Sequence, residues 1–162
     1  MYQLSVPIMN STVNSSTREE YLRQFKACEV SRVFIVPDTD VENGTVRDFD
    51  ALAQNLAFFS SHGIEGAIWV GETVGHGGLT HDALKKEVNR FSPLVNFQGE
   101  ARPGTTCPLN EAFGECLEKM FAQLARAGAK LIRLNASGSL TGNTVALSEL
   151  PAYSFAAFTV EE

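Results

Sequence analysis

The stretch Arg32-Val-Phe-Ile-Val-Pro37 decides how this chain is expected to fold. Every residue from Val33 to Val36 is apolar, and three of the four are β-branched, which is typical of a strand that is buried on both faces. Gly66-Ala-Ile-Trp-Val-Gly71 predicts another buried strand, and Lys130-Leu-Ile-Arg-Leu-Asn135 predicts a further strand. Such strands belong to parallel sheets whose faces are covered, so the sequence predicts a parallel α/β sheet.

A shorter apolar run near the N-terminus predicts one more strand, from Leu4 to Asn10. Pro7 lies inside this run and has no N–H to donate to a neighbouring strand. Proline is therefore confined to edge strands or strand starts. We expect the first strand to lie at an edge of the sheet.

Helices are predicted between these strands from apolar residues at helical spacing. Thr17 and Glu20 form a capping-box pattern at the start of the first helix, because the hydroxyl and the carboxylate can each pair with a free amide. The second helix is predicted over 45–62, with Gly63 as its left-handed cap. Asn110 is expected to cap the last helix.

The predicted order is β-α-β-α-β, an insertion, and then α-β, which implies right-handed crossovers between parallel strands. We therefore assign residues 1–135 to a domain of four βα units with an insertion at about 79–106. Residues 136–162 form a C-terminal tail for which no element is predicted. The fold class is α/β, most like half of a TIM-type barrel. The alternative is an open, flavodoxin-like three-layer sheet.

Composition limits the classes of function. The net charge is −6, whereas a nucleic-acid-binding surface needs an excess of Lys and Arg, so we expect no nucleic-acid partner. No apolar run is long enough for a membrane helix, and we expect no membrane partner and a cytoplasmic protein by default. The three cysteines are expected to be reduced and mostly buried. No phosphate-binding loop or metal-ligand spacing is present, so we expect neither a cofactor nor a metal.

Candidate functional residues lie where the strands end, because the carboxyl ends of parallel strands share one edge of the sheet. Asp38 and Glu72 are the predicted catalytic residues, since two carboxylates across a cleft can divide the work of glycoside hydrolysis. The alternative for each is a helix cap or a solvated surface carboxylate. The predicted substrate-binding residues are Asn10, Trp69, His76 and Asn135. For Trp69 the alternatives are a core position and a platform on which a sugar ring stacks.

Several segments resemble, in order, the N-terminal part of uncharacterised glycoside-hydrolase-like (β/α)₈-barrel proteins. The resemblance covers about residues 4–142, and its most specific pieces are a Gly-His-Gly loop and a Cys-Pro-Leu segment. The segments are Val6-Pro-Ile-Met-Asn10, Arg32-Val-Phe-Ile, Asn55-Leu-Ala-Phe-Phe-Ser-Ser-His-Gly63, Trp69-Val-Gly, Gly75-His-Gly, Cys107-Pro-Leu-Asn-Glu-Ala-Phe113 and Leu131-Ile-Arg-Leu134.

The resemblance implies a small-molecule carbohydrate as the ligand and, if the chain is active, a glycoside hydrolase. In that family acidic residues follow the fourth strand, whereas here the matching stretch is Asn135-Ala-Ser-Gly-Ser139. A complete barrel also needs four more βα units. We therefore expect a half barrel that is inactive alone or needs to form a homo-oligomer through its open sheet edges. The alternative function is a non-enzymatic module that binds a small polyol or sugar.

Overall fold

Four parallel strands form the main sheet of the protein in a computed structural model, which describes residues 3–70, 91, 93–95, 98–106 and 109–134. The main-sheet strands are β1 (Leu4–Met9), β2 (Val30–Val36), β5 (Glu65–Val70) and β8 (Ile132–Leu134). They lie side by side in the order in which they occur in the chain. The described part of the chain is thus an α/β fold with a parallel sheet, as the apolar runs predict.

Helices connect these strands. The described α-helices are α1 (Arg18–Ala27), α2 (Phe49–Ser61) and α3 (Glu111–Arg126), and a short 3-10 turn covers Asn10–Thr12. None of the described helices is long and apolar enough to cross a membrane.

All three helices contribute to one hydrophobic core on one face of the sheet. Leu22 of α1, Phe59 of α2 and Phe113 of α3 belong to the same buried cluster. The strand residues in contact with that cluster alternate along each strand and define the core face: Val6, Ile8, Val33, Ile35, Ile68, Val70 and Ile132. A Cβ at Gly66 would lie 2.9 Å from Leu56 Cδ2, so glycine there lets α2 approach β5 closely.

The opposite face of the sheet, here called the Trp69 face, carries the residues between these positions. The pairing register places on it Ser5, Pro7, Met9, Arg32, Phe34, Val36, Glu65, Ala67, Trp69 and Arg133. The buried cluster to which the described helices contribute contains no residue of this face, although Phe34 and Ala67 on it are themselves buried. The sequential strand order also differs from the flavodoxin-like order, in which the first strand lies between the second and the third.

Two short antiparallel hairpins complete the described elements. The first consists of β3 (Thr39–Asp40) and β4 (Thr45–Val46), and the second of β6 (Pro93–Val95) and β7 (Ala101–Thr106). The second hairpin falls largely within the predicted insertion. Gln123 of α3 holds the first one, since its Nε2 donates to Gly44 O at 2.8 Å and its Oε1 accepts from Val46 N at 3.2 Å.

Several sequence predictions are confirmed. β1 is an edge strand of the described sheet, as Pro7 requires. Gly63 ends α2 with a φ of +80°, in the left-handed region. Asn110 caps α3, where its Oδ1 accepts a hydrogen bond from Phe113 N at 3.0 Å.

Three predictions are wrong. Thr17 makes no side-chain cap, because its hydroxyl oxygen accepts from Asn14 N at 3.0 Å while its hydrogen goes to Thr12 O at 2.7 Å. Glu20 pairs with Arg23 and Gln24 rather than with the helix start. The second helix begins at Phe49, since residues 45–46 are held in the β3–β4 hairpin. Cys28 is exposed at the end of α1, whereas Cys116 is buried as expected.

Candidate functional site

The structure describes three of the six predicted site residues. Asn10, Asp38 and Trp69 lie at or near the carboxyl ends of β1, β2 and β5. Glu72, His76 and Asn135 lie outside the described residues, so the pairing of Asp38 with Glu72 stays a prediction.

Asn10 lies in a buried hydrogen-bond network that joins β1 to α2. The residue is 2% exposed. Its Oδ1 accepts from Asn55 Nδ2 at 2.8 Å, and its Nδ2 donates to Asp48 Oδ2 at 2.6 Å. Asn55 also donates to Val13 O at 3.0 Å. With both ends of its amide engaged, Asn10 is suited to positioning the strand end, and the predicted substrate contact stays a prediction.

Asp38 takes part in a second, more exposed cluster with Arg47. The guanidinium of Arg47 donates from Nη1 to Asp38 Oδ1 and from Nη2 to Asp40 Oδ2, each at 3.0 Å. The backbone N–H of Asp38 donates to Asp48 Oδ1 at 3.1 Å, which links this cluster to the Asn10 network. The side chain of Asp38 remains 55% exposed, so one side of its carboxylate still faces solvent.

The hydrogen bonds of this cluster favour the charged forms of Asp40 and Arg47. Partial burial alone would raise the pKa of the Asp40 carboxyl, but hydrogen bonds from Asn43 and Arg47 outweigh it and lower the pKa below its usual value. The hydrogen bonds that Arg47 donates to Asp40 and Asp38 raise the pKa of its guanidinium. Arg47 is therefore a fixed counter-charge for two carboxylates.

The Trp69 face combines aromatic rings with arginines. The guanidinium carbon of Arg133 lies 5.3 Å from the centre of the Trp69 ring and 6.0 Å from the centre of the Phe34 ring. Arg32 lies 5.9 Å from the Phe34 ring and forms an ion pair with Glu65, with Nη2 and Oε2 2.7 Å apart. These distances suit cation–π contacts.

The indole of Trp69 carries an unused hydrogen-bond donor. Its Nε1 is buried, and among the described residues it is the buried side-chain nitrogen or oxygen that has no hydrogen-bond partner. Leaving such a donor unpaired costs about 1–3 kcal/mol. Buried polar groups without partners are rare in proteins, and each one calls for a specific explanation.

An open cleft of about 600 Å³ lies where the start of α2 meets α3. Arg47, Gln123 and Arg126 line it together with Asp48 and Asp50, so positive and negative side chains are mixed. The cleft therefore has no dominant charge with which to select a ligand.

Across the described ranges, no three potential metal ligands come close enough to hold an ion.

No protein-family model matches the chain, and no curated protein resembles it significantly.

Sequence reasoning missed two residues of these clusters, Asp48 and Arg133. Asp48 was placed inside a helix, whereas its carboxylate joins the two strand-end clusters. Arg133 belongs to the predicted strand Lys130–Asn135 but is not among the predicted site residues. The signal for Arg133 is its place among apolar neighbours in Leu131-Ile-Arg-Leu134, because a charged residue in such a run marks the face of the strand that faces away from the core.

Proposed function

We propose that this chain is the first half of a barrel-type α/β fold and that its Trp69 face binds carbohydrate. The sequential order of the four strands and the presence of all described helices on one face support the barrel type, since a barrel places helices outside and a helix-free face inside. In such a fold a ligand binds at the carboxyl ends of the strands, and Trp69 and Arg133 are each the penultimate residue of their strand.

The observation that carries the carbohydrate assignment is the unpaired Nε1 donor of Trp69. A sugar offers what this position lacks: hydroxyl oxygens that accept a hydrogen bond and a C–H face that packs on an aromatic ring. Small-molecule sites generally combine an apolar lining with a few directed polar groups. Trp69 and Phe34 supply the lining here, and the indole N–H supplies the directed donor.

Binding without turnover is favoured over hydrolysis. A glycoside hydrolase needs two carboxyl groups across the bond that is cleaved. Asp38, the described member of the predicted pair, already has its carboxylate paired with Arg47.

Hydrolysis is the second candidate, because Asp38 lies after β2 and keeps more than half of its side chain exposed. If the chain is a hydrolase, the parent protein cleaves a chromogenic glycoside, and this cleavage is lost in both Asp38→Asn and Glu72→Gln. An unchanged rate in either variant removes that residue from a catalytic role.

Self-association is part of the proposal. β1 and β8 are the outer strands of the described sheet, and edge strands invite pairing with another chain. Leu4 and Met9 of β1 are about half exposed, at 47% and 51%. Pro7 weakens pairing along β1, because it has no backbone N–H to donate to a neighbouring strand. A monodisperse monomer in light scattering at high protein concentration would contradict the association.

The carbohydrate assignment is tested by calorimetric titration with a panel of neutral and acidic monosaccharides. We expect binding that is strongly weakened in Trp69→Phe, which keeps an aromatic ring but has no N–H. Phe58→Leu is the matched control, since Phe58 is an equally half-buried ring on α2 in contact with Phe59 and His62. Binding that is equally strong in Trp69→Phe, or no binding of any sugar, contradicts the proposal.

A further inference from the structure

The Trp69 face carries one more positive charge than its described carboxylate neutralises. It has two arginines, Arg32 and Arg133, and one acidic residue, Glu65. Arg32 uses Glu65 in a two-point contact, with Nε and Nη2 at 2.9 and 2.7 Å from Oε2. In the described part of the chain Arg133 forms no ion pair.

Arg133 is exposed and lies over the ring whose N–H has no partner. Two groups that lack a partner are therefore adjacent. The guanidinium of Arg133 can pair with an anion, and the indole N–H of Trp69 can donate to an oxygen. A guanidinium pairs best with a planar anion through two parallel N–H···O bonds. The contact of an exposed guanidinium such as Arg133 with an aromatic ring is weak by comparison.

We propose that the ligand of this face is an acidic sugar, a pyranose ring that carries one carboxylate. This inference rests on the carbohydrate-binding function proposed above and assigns the substrate class. The carboxylate pairs with Arg133, and the sugar ring takes the place of the guanidinium over Trp69. A hydroxyl oxygen of the sugar that reaches beyond the edge of the indole then accepts from Nε1, because this N–H points in the plane of the ring.

The charge balance selects a carboxylate over a phosphate. One unpaired arginine balances one negative charge, whereas a phosphate monoester carries about −1.5 to −2 at neutral pH. The second negative charge of the phosphate would be left without a counter-charge on a chain whose overall charge is already −6. Arg133 is thus a specificity-determining residue that discriminates acidic from neutral sugars.

The test compares three ligands that differ at one carbon: sodium glucuronate, its neutral methyl ester and glucose. Binding is followed through Trp69, which is the one tryptophan of the chain and reports on its own site by fluorescence. We expect glucuronate to bind about tenfold or more tightly than the ester and glucose, the size typical of a charge-assisted hydrogen-bonded pair. Arg133→Gln should abolish that preference.

Arg126→Gln is the matched control, because it removes the same charge from an exposed position at the end of α3 and should keep the preference. If Arg133→Gln fails to fold, the comparison of glucuronate with its ester still decides the matter in the unmodified protein. Equal affinity for the three sugars overturns the acidic-sugar inference and leaves carbohydrate binding standing. A preference that persists in Arg133→Gln overturns the role of Arg133. Acetate that binds as tightly as glucuronate overturns the sugar assignment, and the absence of any binding overturns both proposals.

Discussion

The two faces of the main sheet have opposite characters, although they alternate residue by residue along the same strands. The core face is aliphatic: Val33, Ile35 and Ile68 are 0% exposed and pack under all three described helices. The Trp69 face carries arginines, a glutamate and aromatic rings, and it includes an unpaired donor. Changes on the core face should therefore reduce stability, whereas a change of the exposed Arg133 on the Trp69 face should reduce ligand binding and leave stability nearly unchanged.

The largest expected effect is on the core face. Phe59→Ala removes a ring that is 0% exposed, which should lower the free energy of unfolding by about 3–5 kcal/mol. Arg133→Gln on the Trp69 face should cost about 1 kcal/mol or less, because it removes a surface cation–π contact. Chemical denaturation of both variants measures the difference. If Phe59→Ala and Arg133→Gln lowered the free energy of unfolding by similar amounts, both faces would contribute to stability alike, and the contrast between them would be wrong.

The hairpin that closes the end of the core should tolerate change poorly at Gly44. This residue has a φ of +63°, and a Cβ there would lie 2.6 Å from Cys116 O. Gly44→Ala should therefore cost about 1–3 kcal/mol from its backbone conformation and more from the contact. Gly63→Ala separates these terms, since Gly63 also has a positive φ of +80° but nothing within 4 Å. A thermal melt should show the larger loss for Gly44→Ala, and an equal loss would rule out the contact with α3.

The buried polar network should matter next. Asn55→Ala leaves Asn10 Oδ1 and Val13 O without their donor, which should lower the free energy of unfolding by about 1–3 kcal/mol. Gln54→Ala is the control, because Gln54 is the exposed neighbour on α2 and should change stability by about 0.5 kcal/mol or less. If the two variants are equally stable, the network is not a fixed part of the fold.

The smallest effect is the pH dependence that Asp40 contributes. Its folded-state pKa is lowered, so its contribution to stability is complete above the unfolded value of about 3.9 and is lost as the pH falls through the lower folded value. The contribution should be about 1 kcal/mol or less, because its partner Arg47 is 52% exposed. Urea melts from pH 6 downward should show Asp40→Asn losing less stability than the parent chain. Parallel curves would exclude this linkage.

The sequence predicted the parallel sheet because consecutive apolar, β-branched residues suit strands that are covered on both sides. It predicted the end of α2 because glycine adopts the left-handed backbone of Gly63 at little cost. The capping-box prediction failed because the Thr17 hydroxyl oxygen accepts from a competing donor, Asn14 N, in the turn that precedes the helix, and the capping pattern alone does not reveal that turn. The start of α2 failed for a related reason: the contacts that hold the β3–β4 hairpin come from Gln123, about 80 residues away in the chain.

The candidate site was predictable only in part. Trp69 and Asp38 are predicted from the sequence because polar and aromatic residues near strand ends gather at one edge of a parallel sheet. The pairing of Arg133 with Trp69 depends on the register between β5 and β8, which aligns Trp69 with Arg133 and Ile68 with Ile132. A shift of one residue would turn Arg133 toward the core, so a single sequence could not fix this contact.

The most direct test of ligand binding at the Trp69 face is the indole resonance in a ¹⁵N–¹H correlation spectrum. One tryptophan gives one such resonance. Addition of glucuronate should shift it in proportion to the fraction bound in calorimetry, because the Nε1 donor gains an acceptor. Saturation of the protein with the sugar acid while this resonance stays in place would contradict the assignment of carbohydrate binding to the Trp69 face.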